Sequence, residues 1–199
     1  MNQGLVVHVR NKCKYTYIFL LAAQSSNLLN IAELSNTCDL SRPTVERYLF
    51  LLEQTYVIKI VRPYSRNLRA ELTKTPKIFL CDTGLMQMLW LKRLQQEVLG
   101  PVFETSVFAE LFKLYGTDQV AYWRTADKRE IDFIVQHPST PMALEAKLTF
   151  PRAMPPVFKN LLQAGDSAPE AYRVVGLYGE PAGERMIYPW QLGSPDAAQ

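Results

Sequence analysis

Histidine and cysteine are scarce in this sequence, and their spacing does not suit a metal site. The chain has 199 residues but only three cysteines and two histidines. Cys13, Cys38 and Cys81 form no C-x-x-C pair, and only His8 and His137 could add ligands to them. We therefore expect no zinc site of the cysteine–histidine type. An odd number of widely spaced cysteines instead indicates reduced thiols in a cytoplasmic protein.

The sequence also lacks a long apolar run, a signal peptide and an ATP-binding loop. Its longest apolar run, Ile18 to Ala23, is far too short to span a bilayer, so we expect no membrane partner. The basic N-terminus is not followed by the apolar core and cleavage site of a signal peptide. No G-x-x-x-x-G-K-S/T motif occurs, so ATP is not expected to bind this chain in that way. By contrast, 48% of the residues are hydrophobic, which is enough for one large domain or two small ones.

Positive charge is concentrated in one segment of the chain. The net charge is only +3, which is too small to indicate a nucleic-acid-binding protein by itself. Residues 59–77 nevertheless contain six basic residues and one acidic residue, so the rest of the chain carries a net charge of −2. The six are Lys59, Arg62, Arg66, Arg69, Lys74 and Lys77. The basic character of the chain therefore lies in this one short stretch.

The first half of the sequence has the pattern of a winged helix-turn-helix. Asn30 and Ser41 are typical N-caps, and each precedes a segment of helical periodicity. The turn between these two helices is short, as in a helix-turn-helix. The predicted elements are helices over 15–23, 31–37 and 42–54, strands over 57–61 and 77–80 that flank the basic segment, and a helix over 84–91. We assign residues 12–96 to this domain and residues 1–11 to the tail of an upstream region.

A second domain is predicted over residues 97–192, which makes the fold class α/β (α+β). A polar segment ends at Gly100-Pro101, and a helix runs from there to Tyr115, followed by Gly116 as its C-terminal glycine. Strands are predicted over 120–124, 130–136, 142–148 and 172–178, with a helix over 155–164 before the last of them. Residues 193–199 are expected to form a flexible tail.

Two carboxylates occur in strands that are otherwise apolar. Alternation of side chains places Asp132 on the face of its strand opposite to Phe133. In the next strand Glu145 and Lys147 are two residues apart and share a face. If the hairpin is symmetric about the Pro138-Ser139 bond, Asp132 and Glu145 are cross-strand neighbours with Cβ atoms about 5 Å apart.

The chemistry of these groups favours a divalent cation. Two facing carboxylates repel each other unless they share a proton or a cation. Oxygen ligands suit a hard ion such as Mg²⁺, so we predict Asp132 and Glu145 as metal ligands. Lys147 could position water or stabilise charge on a phosphorane. Glu104 is a third candidate, because it falls near the middle of the apolar face of the preceding helix.

Three short motifs in this half resemble the signature of a nuclease superfamily. Gly100-Pro101-Val102-Phe103-Glu104, Glu130-Ile131-Asp132 and Glu145-Ala146-Lys147 are similar to the G-x-x-F-E … D … E-x-K pattern of PD-(D/E)XK nucleases. The resemblance implies a restriction-endonuclease-like mixed sheet flanked by helices, with Mg²⁺ or Mn²⁺ as cofactor. It also implies roles for four residues: Asp132 and Glu145 as metal-binding carboxylates, Lys147 as the catalytic lysine and Glu104 as the helical glutamate.

Further motifs extend the resemblance over most of the chain. They are Leu-Leu-Asn (28–30), Ser-Arg-Pro-Thr-Val (41–45), Leu-Leu-Glu-Gln-Thr-Tyr (51–56), Pro-Lys-Ile-Phe (76–79), Asp-Thr-Gly-Leu (82–85) and Tyr-Trp-Arg-Thr (122–125). In this order they closely resemble the C-terminal domain of unknown function that is attached to many prokaryotic AAA-type ATPases. The resemblance implies an upstream ATPase module as a partner, and a chain that is either a fragment or the product of a truncated gene.

The sequence leaves three functions open. The first is DNA binding with a metal-dependent, deoxyribonuclease-like site, in which phosphates are contacted by Arg42, Arg47, Arg66 and Arg69. The second is a regulatory or partner-docking module of an ATPase without catalysis. The third is a winged-helix transcriptional regulator. Self-association into a homo-oligomer is also left open.

The acidic residues have structural alternatives as well. Asp132 and Glu145 could form salt bridges with Arg124 and Lys147 and serve only the fold. Glu104 is expected either to complete the metal site or simply to act as a cap or pair with Arg124, and Glu130 is expected to be solvated.

Overall fold

The computed structural model describes residues 16–64, 75–125, 127–136, 142–159, 169 and 171–193. Helices and strands both occur over these residues, as a mixed α and β fold class requires. The helices are α1 (residues 16–23), α2 (Ile31–Cys38), α3 (Arg42–Gln54), α4 (Thr83–Leu91) and α5 (Gly100–Tyr115). The strands are β1 (Ile58–Val61), β2 (Lys77–Leu80), β3 (Val120–Arg124), β4 (Glu130–Val135), β5 (Met142–Thr149), β6 (Ala171–Tyr178) and β7 (Met186–Ile187). Within these residues, no helix has the length and apolar character that a bilayer crossing needs.

Side-chain caps set the ends of the helices in the first half of the chain. α2 begins where the side chain of Asn30 accepts a hydrogen bond from a first-turn amide at 3.0 Å. It ends at Asp39, whose φ of 50° is a left-handed conformation that aspartate tolerates better than most residues. Ser41 caps α3 and Asp82 caps α4, each by accepting a bond from a first-turn amide. The N-caps at Asn30 and Ser41 agree with the sequence prediction.

The antiparallel pair β1 and β2 lies between two hydrophobic cores. β2 is buried along its whole length. Ile78 and Leu80 belong to a core that is built mainly by α1 to α4. Phe79 belongs to the core of the second half, where its ring stacks on Phe108 of α5 with centroids 4.4 Å apart. The hairpin therefore packs against both halves of the molecule.

The second half is built on a five-stranded mixed sheet with the order β3-β4-β5-β6-β7. β3, β4 and β5 are antiparallel neighbours, whereas β5, β6 and β7 are parallel. α5 covers one face and buries Val107, Phe108 and Leu111 completely. The other face has a core of its own, to which Phe150 and Phe158 contribute. Burial on both faces explains why these strands are so apolar.

A bulge in β4 interrupts the alternation of side chains beside Asp132. The pairing of β3 with β4 shifts by one residue near the middle of β3, which leaves an extra residue in β4. Ile131 and Ile134 consequently lie in one core while Phe133 lies in the other. The regular alternation that placed Asp132 opposite to Phe133 is therefore interrupted at this point of the strand. The Oδ1 atom of Asp132 is 4.0 Å from Nζ of Lys77.

Candidate functional site

A buried lysine from the first half lies among the acidic residues of the second half. The side chain of Lys77 in β2 is only 3% exposed. Its Nζ atom is 2.9 Å from Oε1 of Glu104 and 2.6 Å from Oε1 of Glu130. The ammonium also approaches Oδ1 of Asp132 at 4.0 Å. Three carboxylates from α5 and β4 thus surround one cation that the hairpin supplies.

Glu130 bridges two cations. One carboxylate oxygen contacts Lys77 and the other accepts a hydrogen bond from Nη1 of Arg124 at 2.8 Å. The prediction that Glu130 is solvated is therefore wrong, because Lys77 and Arg124 hold it at the edge of the buried cluster. The predicted alternative in which Glu104 pairs with Arg124 is also wrong, since Glu104 pairs with Lys77.

Asp132 lies where β4 and β5 begin to separate. The paired residues of the two strands end at Phe133 and Leu144, in the register that the predicted hairpin requires. One further step along both strands places Asp132 opposite to Glu145. At this position Oδ2 of Asp132 accepts a hydrogen bond from the amide of Ala146 at 2.9 Å. A side-chain hydrogen bond thus connects the two strands beyond their last backbone pair. The loop residues 137–141 lie outside the described residues.

Glu145 and Lys147 form the second part of the cluster, as their spacing of two residues predicts. Nζ of Lys147 is 2.6 Å from Oε1 of Glu145. Oε2 of Glu145 is buried and has no hydrogen-bond partner among the residues that the structure describes. The Lys147 side chain is 44% exposed, whereas that of Glu145 is 9% exposed. The pair therefore joins a buried carboxylate to an ammonium that solvent can reach.

Burial raises the pKa of three carboxylates in the cluster, those of Glu104, Asp132 and Glu145. It raises the pKa of Glu145 to about 7, and the neighbouring charge of Asp132 adds to this effect. Burial likewise raises the pKa of Glu104 to about 7, again with a contribution from Asp132 and in spite of the ion pair with Lys77. The pKa of Asp132 itself is raised by burial. These carboxylates together hold their charges less readily than exposed ones do.

The two lysines of the cluster remain cations. Burial alone would lower the pKa of Lys77, but the charges of Glu104, Asp132 and Glu130 outweigh burial and raise it. Burial opposes protonation of Lys147 too, yet its hydrogen bond with Glu145 leads to a raised pKa. Lys147 is therefore suited to donate a hydrogen bond or to stabilise negative charge, and is poorly suited to accept a proton.

Only part of the cluster has the composition of a metal site. Within the described residues, no group of three or more histidine, cysteine, aspartate and glutamate side chains is arranged to hold a metal ion. Asp132 and Glu145 nevertheless offer two carboxylates, one of them with a buried oxygen that has no partner in the described part of the chain. Mg²⁺ commonly binds through one or two carboxylates, with water and substrate phosphate as its other ligands. The donor chemistry of this pair therefore fits a hard divalent cation.

The arginines predicted to contact DNA are only partly described. Arg42 and Arg47 are both exposed on α3, and Arg42 forms an ion pair with Glu46 at 2.9 Å. Both side chains are thus accessible to a partner. Arg66 and Arg69 lie outside the described residues.

Lys77 is the site residue that the sequence prediction missed. Its signal was present, because Lys77 is two residues from Phe79 in a short apolar strand and must share its face. A charged residue on a buried face needs a partner, and the same argument identified Glu104. The sequence prediction instead counted Lys77 only among the six basic residues of segment 59–77.

Two family models match this chain. Residues 9–97 match a domain of unknown function (DUF8612), and residues 99–186 match another domain of unknown function (DUF4143). The second of these domains is associated with AAA ATPases.

Two mycobacterial proteins are similar to part of the chain. They are the uncharacterized proteins Rv2008c of Mycobacterium tuberculosis and Mb2031c of Mycobacterium bovis, and each is 30% identical over 135 residues. The similarity covers 65% of this chain but 31% of each relative, so the chain spans about a third of the length of these proteins. No solved structure matches the chain.

Proposed function

We propose that this chain is the DNA-binding C-terminal region of an AAA-type ATPase and carries a metal-dependent, nuclease-like site. Support for the ATPase comes from the match of residues 99–186 to a domain associated with AAA ATPases. Support for the site comes from the cluster around Asp132. The charge of Asp132 affects the pKa of each of the other predicted residues, Glu104, Glu145 and Lys147. The winged-helix and restriction-endonuclease-like folds, and the cytoplasmic location, form part of the proposal.

The observation that carries the proposal is the buried Oε2 atom of Glu145, which has no hydrogen-bond partner among the described residues. A buried oxygen without a hydrogen bond is costly, and here it lies beside a second buried carboxylate. In folded proteins, buried carboxylates with strongly shifted pKa values are concentrated at catalytic and binding sites. A divalent cation bound by Asp132 and Glu145 would satisfy the oxygen and remove the repulsion between the two groups.

The residues of the chain divide the work in this proposal. Asp132 and Glu145 hold the Mg²⁺ or Mn²⁺ ion, and the Ala146 amide fixes the orientation of the Asp132 carboxylate through Oδ2. Lys147 is exposed enough to reach a bound phosphodiester, where its ammonium orients the attacking water and stabilises the charge that develops on phosphorus. When bound, the ion supplies a Lewis acid that polarises the phosphodiester and activates water.

DNA is held in this proposal by the first half of the chain. α3 presents Arg42 and Arg47 on its exposed surface, and they contact phosphates together with Arg66 and Arg69. The upstream ATPase domain is the expected protein partner.

The decisive experiment compares cleavage of plasmid and branched DNA with Mn²⁺ by three proteins. Wild type should cut, Lys147→Ala should lose at least about 100-fold in rate, and Lys113→Ala should behave like wild type. Lys113 is a matched control because it is an exposed lysine on α5, paired with Glu110. Equal cleavage by wild type and Lys147→Ala would reject the proposed site and indicate contamination or another site.

A second candidate is a regulatory or docking module without catalysis. It is favoured by the ion pairs of Lys77 and Arg124, which already neutralise part of the cluster from within the protein. In this case calorimetry detects no Mn²⁺ binding, and the protein stays folded when Asp132 and Glu145 become Asn and Gln. Mn²⁺ binding that is lost in this double variant would count against the docking module.

The third candidate, a transcriptional regulator, makes a separate prediction. Duplex DNA binding should weaken steeply with salt and disappear in an Arg42→Ala, Arg47→Ala protein. Binding that is unchanged in this variant would remove the role of α3.

A further inference from the structure

Asp132 is shared by two groups of charges that differ in how their cations are held. On one side, its Oδ1 atom faces Lys77, which also contacts Glu104 and Glu130. On the other side is Glu145 with its partner Lys147. The first group has a buried cation with at least two close carboxylate contacts. The second has an exposed cation and a carboxylate oxygen that no described residue contacts by a hydrogen bond.

We propose that Lys77 is a built-in counter-ion that fills one of two cation positions beside Asp132, so that the site accepts a single divalent ion on the Glu145 side. Lys77 of β2 is thus a positioning residue that holds the carboxylates of α5 and β4 in place. This inference rests on the proposed metal-dependent site, but it concerns ion number and stability rather than cleavage.

The contact geometry of the Lys77 ammonium is that of a cation in a ligand shell. Its contacts at 2.9 and 2.6 Å join carboxylates from two different elements, α5 and β4. Because the Lys77 side chain is only 3% exposed, hydration by solvent cannot compensate for the loss of these ion pairs. Without the ammonium, Glu104, Glu130 and Asp132 would form a buried acidic group, which Arg124 at Glu130 and Lys147 beyond Asp132 would neutralise only in part. Such a group would recruit a second divalent ion.

Contacts with two other parts of the chain fix the backbone around Lys77 and so hold this cation at the site. The carbonyl of Pro76 accepts a bond from the amide of Leu29 at 2.8 Å. The carbonyl of Thr75 accepts a bond from the hydroxyl of Tyr122 in β3 at 2.5 Å. Lys77 itself forms a β-bridge with Leu28. A permanent cation in this position keeps the carboxylates in place before any ion binds.

The test measures Mn²⁺ binding and thermal unfolding of wild type, Lys77→Met and Lys77→Arg. Wild type should bind one Mn²⁺ and depend on Glu145 for it. In EDTA, Lys77→Met should melt about 10 °C below wild type, because three buried carboxylates lose their shared partner. Mn²⁺ should then raise the melting temperature of Lys77→Met by more than that of wild type, and the variant should bind two ions. Lys77→Arg keeps the charge and should bind one, while Lys113→Met serves as the exposed control.

Each outcome separates this inference from the proposed function. One Mn²⁺ in wild type, lost in Glu145→Gln, with no extra ion and no extra stabilisation in Lys77→Met, overturns the role of Lys77 alone. No Mn²⁺ in wild type but binding in Lys77→Met overturns the proposed function and retains the counter-ion. No binding by either protein overturns both.

A double variant covers failure of Lys77→Met to fold in EDTA. Lys77→Met with Glu104→Gln removes one charge of each sign from the same ion pair. This protein should fold without metal and should show a smaller Mn²⁺-dependent rise in melting temperature than Lys77→Met shows once folded with Mn²⁺. An equal or larger rise overturns the counter-ion role.

Discussion

The buried carboxylate of Glu145 is expected to lower the stability of the protein when no divalent cation is present. Burial and the charge of Asp132 raise its pKa from 4.5 to about 7. At pH 8 the group is ionised in both the folded and the unfolded chain. The difference in pKa then corresponds to a penalty of at most about 3 kcal/mol in the folded state. Replacement by glutamine removes the charge and keeps the shape of the side chain.

The same substitution also removes a favourable contact. Glu145→Gln loses the ion pair with Lys147, whose side chain is 44% exposed. The pKa of about 7 already includes this contact, because the hydrogen bond and the charge of Lys147 both lower it. We therefore expect Glu145→Gln to be more stable than wild type by about 2–3 kcal/mol at pH 8 in EDTA. Urea unfolding followed by circular dichroism measures this difference directly.

The pH dependence of the difference tests its cause. At pH 5 the Glu145 carboxyl keeps its proton in the folded state, so the advantage of glutamine should shrink below about 1 kcal/mol. A Glu145→Gln protein that is no more stable than wild type at pH 8 would refute the reasoning. The matched control is Glu110→Gln, an exposed glutamate of α5 paired with Lys113, for which we expect a change within about 0.5 kcal/mol at either pH.

Three other predictions follow from the buried groups. In EDTA, the stability of wild type should fall as the pH rises from 5 to 7, because Glu104 keeps its proton in the folded state up to about 7 while the unfolded chain releases it near 4.5; thermal unfolding at several pH values checks the sign, and a rise would contradict it. Phe108→Ala should cost about 3–5 kcal/mol in urea unfolding, since the ring is fully buried and stacks on Phe79; a loss below about 1 kcal/mol would contradict this packing. Gly176→Ala should cost about 1–3 kcal/mol because the new Cβ would lie 2.4 Å from the buried ring of Phe150, whereas Gly183→Ala, which meets open space, should cost far less; equal losses would reject the clash.

Local signals in the sequence predict much of this fold. The caps at Asn30 and Ser41 depend only on a few neighbouring residues, and they mark helix starts correctly. The register of β4 and β5 follows from the position of a short loop, so it too can be read from the sequence. The spacing of Glu145 and Lys147 predicts their contact because residues two apart in a strand share a face.

Non-local features were beyond the reach of these signals. The bulge in β4 arises from its pairing with β3, and the sequence around Asp132 has no feature that predicts the extra residue. β7 has only two residues, Met186 and Ile187, and it exists because β6 offers a free edge beside it. The ion pair of Lys77 with Glu104 spans 27 positions and crosses from one half of the chain to the other. Periodicity within either half carries no information about such a contact.

The position of β2 between two cores has a consequence for how this protein can be divided. A fragment that starts at Leu99 would lose the ring of Phe79 from its core and the ammonium of Lys77 from its acidic cluster. Such a fragment would expose the apolar surface that Phe79 covers. It would also leave the carboxylates of Glu104 and Glu130 without the ammonium of Lys77. Swapping or trimming the first half is therefore a change to the chemistry of the second half, even when every one of the second half's own residues is kept.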